Sequence, residues 1–278
     1  MKLGLVLEGG ANRAYFSVGV MDALIDLGIK ADYIIGVSAG IANAISYASN
    51  QRGRSIGIGL TYLNDKRYMG CRHFLSKENK SYYNKDFIFN QLPNIYAPFD
   101  YDALNKYDGE IYAGVTSLDT GECEYLKIDG TDKSWTAITA SCALPLMFPP
   151  VEYNGKTYFD GGISNPIPFE KALQDGCDKI IVILTRPRIF EKRADPTVNL
   201  CRFLYRKHQG FSKALKERAE KYNILRERLF ELEKEGKAIV IAPDNTDSWK
   251  RTERNSKIIK EMYDEGYEKA IKTVKKEL

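Results

Sequence analysis

Ser38 lies in Gly36-Val37-Ser38-Ala39-Gly40, between an apolar run, Tyr33-Ile34-Ile35, and a pattern in which Ile41, Ala44, Ile45 and Ala48 recur at helical spacing. Strand, sharp turn and helix is the setting in which G-x-S-x-G presents a nucleophilic serine. Gly36 and Gly40 let neighbouring backbone approach closely. The serine Oγ then projects above a sheet at a helix N-terminus, where the partial positive charge of the helix favours developing negative charge. The bland alternative is a Gly-Ser turn joining a strand to a helix.

A serine hydroxyl needs a base, because its own pKa keeps it protonated. The usual base is a histidine held by a carboxylate. This chain has two histidines, His73 in an irregular segment and His208 in a basic region, and each reads more readily as a solvated side chain than as a base. The other candidate is Asp160, followed by Gly161-Gly162, which let the chain turn sharply behind it. A carboxylate beside the serine in a partly dry site accepts its proton if its own pKa is raised. Asp-Gly-Gly is also the composition of a plain turn, so the residues alone leave the base open.

Gly9-Gly10-Ala11-Asn12-Arg13 has closely spaced backbone N–H groups ahead of a helix, the composition of an anion nest. A phosphate-binding loop would require Lys-Ser/Thr after its second glycine, which is absent. A dinucleotide fingerprint requires G-x-G-x-x-G and an acid about 20 residues on; Ala11 and Ala14 break the pattern, although Asp32 is near the expected distance. An oxyanion hole fits best, since it requires only about two N–H groups beside a nucleophile.

These residues need rigid elements behind them. Leu3–Leu7 reads as a strand apolar on both faces. Tyr15, Val18, Met21, Leu24 and Ile25 form a helical stripe closed by Gly28. Residues 1–50 thus alternate strand, loop, helix, strand, elbow, helix, the order of a parallel α/β sheet with ligand chemistry at the carboxyl ends of its strands. Residues 51–109 read as short helices and loops over the active face. Ile111–Thr116 and Cys123–Ile128 read as strands, and 134–143 as a helix stopped by Pro145. Asn154-Gly155 is a hairpin signal between Val151–Tyr153 and Thr157–Phe159. A helix starts at Pro166-Ile167-Pro168 and ends at Gly176; Lys179–Leu184 is a further buried strand. A long helix is expected over about 211–234, a last strand over 238–242, and a terminal amphipathic helix over 247–278.

At 278 residues, 44% hydrophobic and 28% charged, the chain has ordinary globular composition and can bury a sizeable core. The formal net charge of +4 is too mild to imply nucleic acid as a partner. No run approaches the roughly 18 apolar residues of a membrane span, and Leu3–Leu7 is too short for a secretory signal. Five cysteines, an odd number without a C-x-x-C pair, read as reduced thiols of a cytoplasmic protein. Two histidines outside ligand spacing argue against a metal site, and no cofactor is expected. Residues 186–218 carry ten Lys/Arg against three Asp/Glu, with Phe190, Phe203, Tyr205 and Phe211 interleaved. A charge run is usually a solvated face. Arg202, Arg206 and Lys207, with Phe203 and Leu204, would instead suit reversible contact with an anionic membrane surface if they shared a helix.

Taken together, the glycine loop, Gly36-x-Ser38-x-Gly40 and Asp160-Gly161-Gly162, in that order, resemble the patatin-like phospholipase family, including its shorter bacterial members. Ser141-Cys142-Ala143-Leu144-Pro145 with Phe148-Pro149 also looks like the family's segment ahead of its aspartate. The resemblance covers about residues 3–185. It implies a three-layer α/β/α sandwich with a mostly parallel central sheet and a nucleophile elbow. It implies a catalytic α/β domain over 1–185; the composition change after Thr185, without a repeat or a low-complexity linker, reads as a basic, mostly helical part over 186–278 packed on the same domain. It further implies a serine hydrolase acting on acyl esters of lipids. Ser38 would be the nucleophile and Asp160 the proton acceptor, with no histidine. Gly9, Gly10 and Ala11 would form the oxyanion hole, and Arg13, Gly36, Gly40, Gly161 and Gly162 would support the motifs. Ala11 and Ala14 stand where the family's loop usually has glycine. Ala11 keeps its N–H but resists positive φ by about 1 kcal/mol. The competing expectation is a catalytically weak lipid- or nucleotide-binding scaffold of the same fold.

Overall fold

The computed structural model of the chain describes residues 1–77 and 79–277. Its first 50 residues form β1 (Leu3–Leu7), α1 (Tyr15–Asp26), β2 (Tyr33–Val37) and α2 (Ala39–Ala48), in the order expected. The next segment holds α3 (Arg54–Tyr62), a short turn of helix at Cys71–Leu75, a wide helix at Phe87–Tyr96, and α4 (Tyr101–Asn105). The wide helix ends with an i→i+5 bond from the Ala97 N–H to the Leu92 carbonyl, 2.7 Å.

Then follow β3 (Glu110–Ser117), β4 (Cys123–Lys127), α5 (Thr136–Ser141), β5 (Val151–Tyr153), β6 (Lys156–Asp160), α6 (Phe169–Gln174) and β7 (Lys179–Ile183). Asn154 and Gly155 both take positive φ, 49° and 77°, as a tight hairpin turn demands. The helix expected from Pro166 begins at Phe169 instead, because Pro168 lacks helical geometry, with ψ 40°. The chain continues with α7 (Val198–Leu204), α8 (Gln209–Lys234), β8 (Ala238–Ile241) and α9 (Ser256–Glu277). The terminal helix therefore starts nine residues later than expected. The Asn255 side chain accepts from the Lys257 N–H at 3.0 Å and marks its beginning. Leu278, the expected last residue of that helix, lies outside the described residues.

Among the described residues, eight strands form one sheet in the order β5-β6-β3-β2-β1-β7-β8, with β4 also on β3. β3-β2-β1-β7-β8 is parallel, and β4, β5 and β6 add antiparallel pairs. Alternate side chains enter two cores. Leu5, Leu7, Ile34, Ile181 and Ile183 pack with α1, α2 and α9 on one face. Val6, Tyr33, Ile35, Ile180 and Val182 pack with α6 and α8 on the other. This is why the parallel strands read as unbroken apolar runs rather than alternating ones.

The helical part after residue 186 meets the sheet domain through close backbone contacts. A Cβ on Gly19 of α1 would fall 1.9 Å from the Tyr263 carbonyl oxygen of α9, and one on Gly266 would fall 2.0 Å from that of Phe16. Two glycines thus let α1 and α9 cross in direct backbone contact. Gly121 and Gly210 make a second such approach, between the β3–β4 turn and the start of α8.

Candidate functional site

One feature of the sheet register builds the centre of the site. β2 runs along one edge of β3 as far as the pair Val37↔Gly114. β4 occupies the opposite edge. β6 takes up β3 where β2 stops, beginning at the pair Val115↔Asp160. Since β4 already covers the other edge there, β2 and β6 share one edge of β3, end to end. Ser38, one residue beyond Val37, and Asp160, the last residue of β6, are brought together at the junction. A Cβ on Gly161 would lie 2.2 Å from the Gly114 carbonyl oxygen, so glycine is required by this approach and not by φ.

Ser38 itself has φ 55° and ψ −134°, a region that side-chain-bearing residues rarely occupy. Such strain persists only where the surroundings over-determine it. Here the Ser38 N–H donates to Ser141 Oγ at 2.9 Å, and Ser141 Oγ donates to the Gly114 carbonyl at 2.7 Å. Two residues later in the same segment, the Ala143 carbonyl accepts from the Asp160 N–H at 2.9 Å. The Ser141–Ala143 stretch therefore holds both groups at once.

Asp160 is 5% exposed. Its carboxylate accepts from the Gly162 N–H at 2.8 Å. Burial raises its pKa; the Arg218 guanidinium, the Gly162 N–H and the Ser38 hydroxyl pull it back part of the way. A carboxylate raised in this manner is a better base than one in water. Burial, and then the Asp160 carboxylate, push up the thiol of Cys142 against the opposing pull of Ser38, so the thiol stays neutral. Neither histidine lines the cavity. His73 Nε2 contacts the Lys66 carbonyl, and His208 Nδ1 faces Asp119 at 4.0 Å.

The glycine loop lies across from Ser38. A Cβ on Gly9 would touch Ser38 Cβ at 3.0 Å, and one on Gly10 would meet Thr185 at 2.7 Å. Gly40 is constrained in the same manner by the Glu8 carbonyl, 2.7 Å from its would-be Cβ, and Gly36 by Leu7 and Ile41. The loop is stitched to its neighbours. The Glu8 carboxylate accepts from the Thr185 N–H at 2.5 Å and the Tyr222 hydroxyl at 2.7 Å. The Asn12 N–H donates to the Arg251 carbonyl at 3.1 Å. Among the described residues, the N–H groups of Gly9, Gly10 and Ala11 have no backbone acceptor, whereas those of Glu8 and Asn12 do. Ala11 adopts φ 48°, the left-handed conformation that a glycine would take without cost.

All of this opens into a cavity of about 520 Å³. One part of its wall is apolar, with Ile88, Phe89 and Leu92 from the wide helix and Leu144, Met147 and Phe148 from the segment after α5. Another part is cationic, with Arg13, Arg186, Lys192, Arg218 and Arg251. Sequence patterns single out Arg13, the Ser141–Pro145 segment and the basic stretch of residues 186–218, but assign Arg218 no place in the cavity and miss Arg251. The basic stretch divides in two. Arg186, Lys192 and Arg193 line the cavity, while Arg202, Arg206 and Lys207 do not. α7 ends at Leu204, so Arg206 and Lys207 do not share a helix with Arg202, as the membrane-contact expectation supposed.

The Gly161 approach is directly testable. Gly161→Ala is expected to part β3 from β6 at Asp160, costing about 1–3 kcal/mol as overpacking does, with a lower Tm in thermal denaturation. An unchanged Tm would contradict the close contact.

A mostly parallel eight-stranded sheet between helices, with a strained serine elbow and a glycine loop at its carboxyl edge, defines a patatin-type fold. The chain belongs to the patatin-like phospholipase family, whose model matches residues 5–173. A model for a domain of unknown function, DUF6363, matches residues 208–276. The chain is 28% identical over 192 residues to the uncharacterized protein YjjU of Escherichia coli, a match covering 67% of this chain and 52% of that one. It is 28% identical over 183 residues to lysophospholipase NTE1 of Meyerozyma guilliermondii, covering 65% of this chain and 12% of that protein. To lysophospholipase NTE1 of Saccharomyces cerevisiae it is 25% identical over 187 residues, covering 65% and 10%. The chain thus spans about half the length of the first relative and about a tenth of the others. Among solved structures, VipD from Legionella pneumophila aligns with a TM-score of 0.47 at 15% identity, covering 99% of this chain and 67% of that one.

Proposed function

We propose that the protein is a lipid acyl ester hydrolase that uses a Ser38–Asp160 dyad and the N–H groups of Gly9, Gly10 and Ala11 as an oxyanion hole. The observation that carries this reading is the end-to-end seating of β2 and β6 on one edge of β3, with a buried, pKa-raised carboxylate at the strained serine. Membership of the patatin-like phospholipase family and the lysophospholipase relatives support the lipid ester as substrate.

In this mechanism Ser38 Oγ attacks the ester carbonyl carbon while its proton passes to the Asp160 carboxylate. The carbonyl oxygen becomes an oxyanion facing the loop N–H groups, which cost no reorganisation at that moment. The tetrahedral species collapses with cleavage of the C–O bond, and Asp160 returns its proton to the departing alkoxide. Water then attacks the acyl-Ser38 ester, again losing a proton to Asp160. The fatty acid leaves, and Ser38 recovers its proton. The apolar wall of Phe89, Leu92, Met147 and Phe148 suits the acyl chain. Fluorophosphonate labelling tests the reading: one modified serine, at residue 38, is expected, and absence of any label would favour the scaffold alternative.

Among the described residues, no helix is long and apolar enough to cross a membrane. We infer that access to lipid runs through an exposed patch where Leu200, Phe203 and Leu204 stand half-exposed or more beside Arg202, Arg206 and Lys207. Basic residues contribute about 1 kcal/mol each near an anionic surface, and apolar rings enter the headgroup layer. Replacing Arg202, Arg206 and Lys207 with Gln is expected to weaken binding to phosphatidylserine-containing vesicles on the order of 100-fold. Co-sedimentation at low and high salt reads this out; equal binding by parent and variant would leave the patch an ordinary charged surface.

A further inference from the structure

The cationic wall of the cavity carries more charge than tuning Asp160 requires, and its charges are not balanced. Six cations (Arg13, Arg186, Lys192, Arg193, Arg218 and Arg251) line the cavity there against three carboxylates, those of Glu8, Asp160 and Asp195. Glu8 is engaged by Thr185 and Tyr222, and Asp195 accepts from Thr197 and reaches Arg251 only at 3.8 Å. Arg13 is 6% exposed, and its Nε is buried without any hydrogen-bond partner. Arg218 spends its Nε on the Gly162 carbonyl, 2.8 Å away. A buried guanidinium N–H without an acceptor is costly, and an anion in this wall would relieve that cost. The cations also repel one another. Burial, then Arg186 and Arg251, push Arg13 down to about 10, and burial with Arg218 pushes Lys192 down to about 7.

The aromatic faces at this end are already covered. The Lys192 ammonium lies 4.6 Å over the Tyr222 ring and the Arg186 guanidinium 4.5 Å over Phe190. A quaternary ammonium needs such faces free and would meet like charge here instead.

On the reading that Ser38 cleaves a lipid ester, we propose that Arg13, Lys192, Arg218 and Arg251, with Arg186, form a subsite for a phosphate monoester dianion on the alcohol half of the substrate, selecting it over a zwitterionic choline headgroup. Arg251 is held at the glycine loop by its own carbonyl, which accepts from Asn12, and Arg218 interacts with both Gly162 and Asp160. The phosphate is therefore fixed on the same frame as the ester.

Calorimetric titration of the Ser38→Ala protein, which cannot turn over, tests this with lysophosphatidic acid and lysophosphatidylcholine of one acyl chain, below micelle formation. At least tenfold tighter binding of the phosphate monoester is expected. Lys192→Gln with Arg251→Gln should reduce that preference at least tenfold, and Lys192→Arg alone should keep it. Equal affinity for the two lipids, or a preference untouched by the double Gln variant, would overturn the proposal. Inorganic phosphate and glycerol 3-phosphate form the second arm. If inorganic phosphate binds as tightly as the lipid, the site serves a free phosphate and the headgroup assignment fails. Loss of fluorophosphonate labelling in the parent with the lipid preference intact would sink the hydrolase reading alone.

Discussion

Ser38→Ala is expected to abolish covalent labelling and to lower ester turnover by roughly 10⁴–10⁶, as loss of the nucleophile does in other serine hydrolases. The fold should survive. Ser38 is held by its backbone N–H, which donates to Ser141 Oγ, and that bond does not involve the missing hydroxyl. The positive φ remains, so the elbow keeps its strain with alanine in place. Turnover of a short, soluble ester by stopped assay, together with intact-mass analysis after fluorophosphonate treatment, decides the matter. Residual labelling at another serine would move the reaction elsewhere in the cavity.

Asp160→Asn is expected to cost on the order of 10²–10⁴ in kcat, the range of a positioned acid–base group. His73→Ala and His208→Ala should each stay within a few-fold of the parent, since neither ring reaches the cavity. The sign of the pH dependence follows from the raised carboxylate. Asp160 must be ionised to accept the Ser38 proton, so activity falls as pH drops through its pKa. That acidic limb should lie above the ordinary carboxylate value of about 4. Arg218 opposes the rise, so Arg218→Gln should move the limb further up. A limb at the ordinary value, or one that shifts down in the Arg218 variant, would remove Asp160 from the role of base.

The sheet and the motif residues were legible because each rested on a local signal. Unbroken apolar runs marked β1, β2 and β7, Asn154-Gly155 marked the hairpin, and the glycines marked sites of backbone contact. The charge-bearing wall was not legible in the same way. Residues 186–197 lack secondary structure, so no periodicity tells that Arg186 and Lys192 line the cavity while Arg202, ten residues after Lys192, does not. Arg218 sits on a helix whose exposed charges outnumber its buried residues; its helical spacing from Phe211, Leu215, Tyr222 and Leu225 places it on the inward stripe, unlike Lys213 and Lys216, but composition alone hides this. The start of α9 was misjudged for a related reason. Residues 247–255 carry helix-compatible charges, yet Trp249 and Glu253 are buried there and Arg251 faces the cavity. Only the cap at Asn255, followed by Ser256, marked the true boundary.

The glycine-to-glycine crossing of α1 with α9 bears on how the nascent chain acquires its shape. Tyr263 donates to Asp22 across 241 residues of sequence, and Phe16 finds its backbone neighbour only at Gly266. At about 5–20 residues per second, a ribosome needs roughly 12–48 s to deliver the second partner after the first. For that interval the outer apolar face of α1, with Phe16 and Val20, is without its cover. β1, at the middle of the sheet, waits as long for β8 to extend β7 beside it. High contact order of this kind slows folding and prolongs the exposure of sticky surface, so the apolar face of α1 stays open until α9 has emerged to cover it.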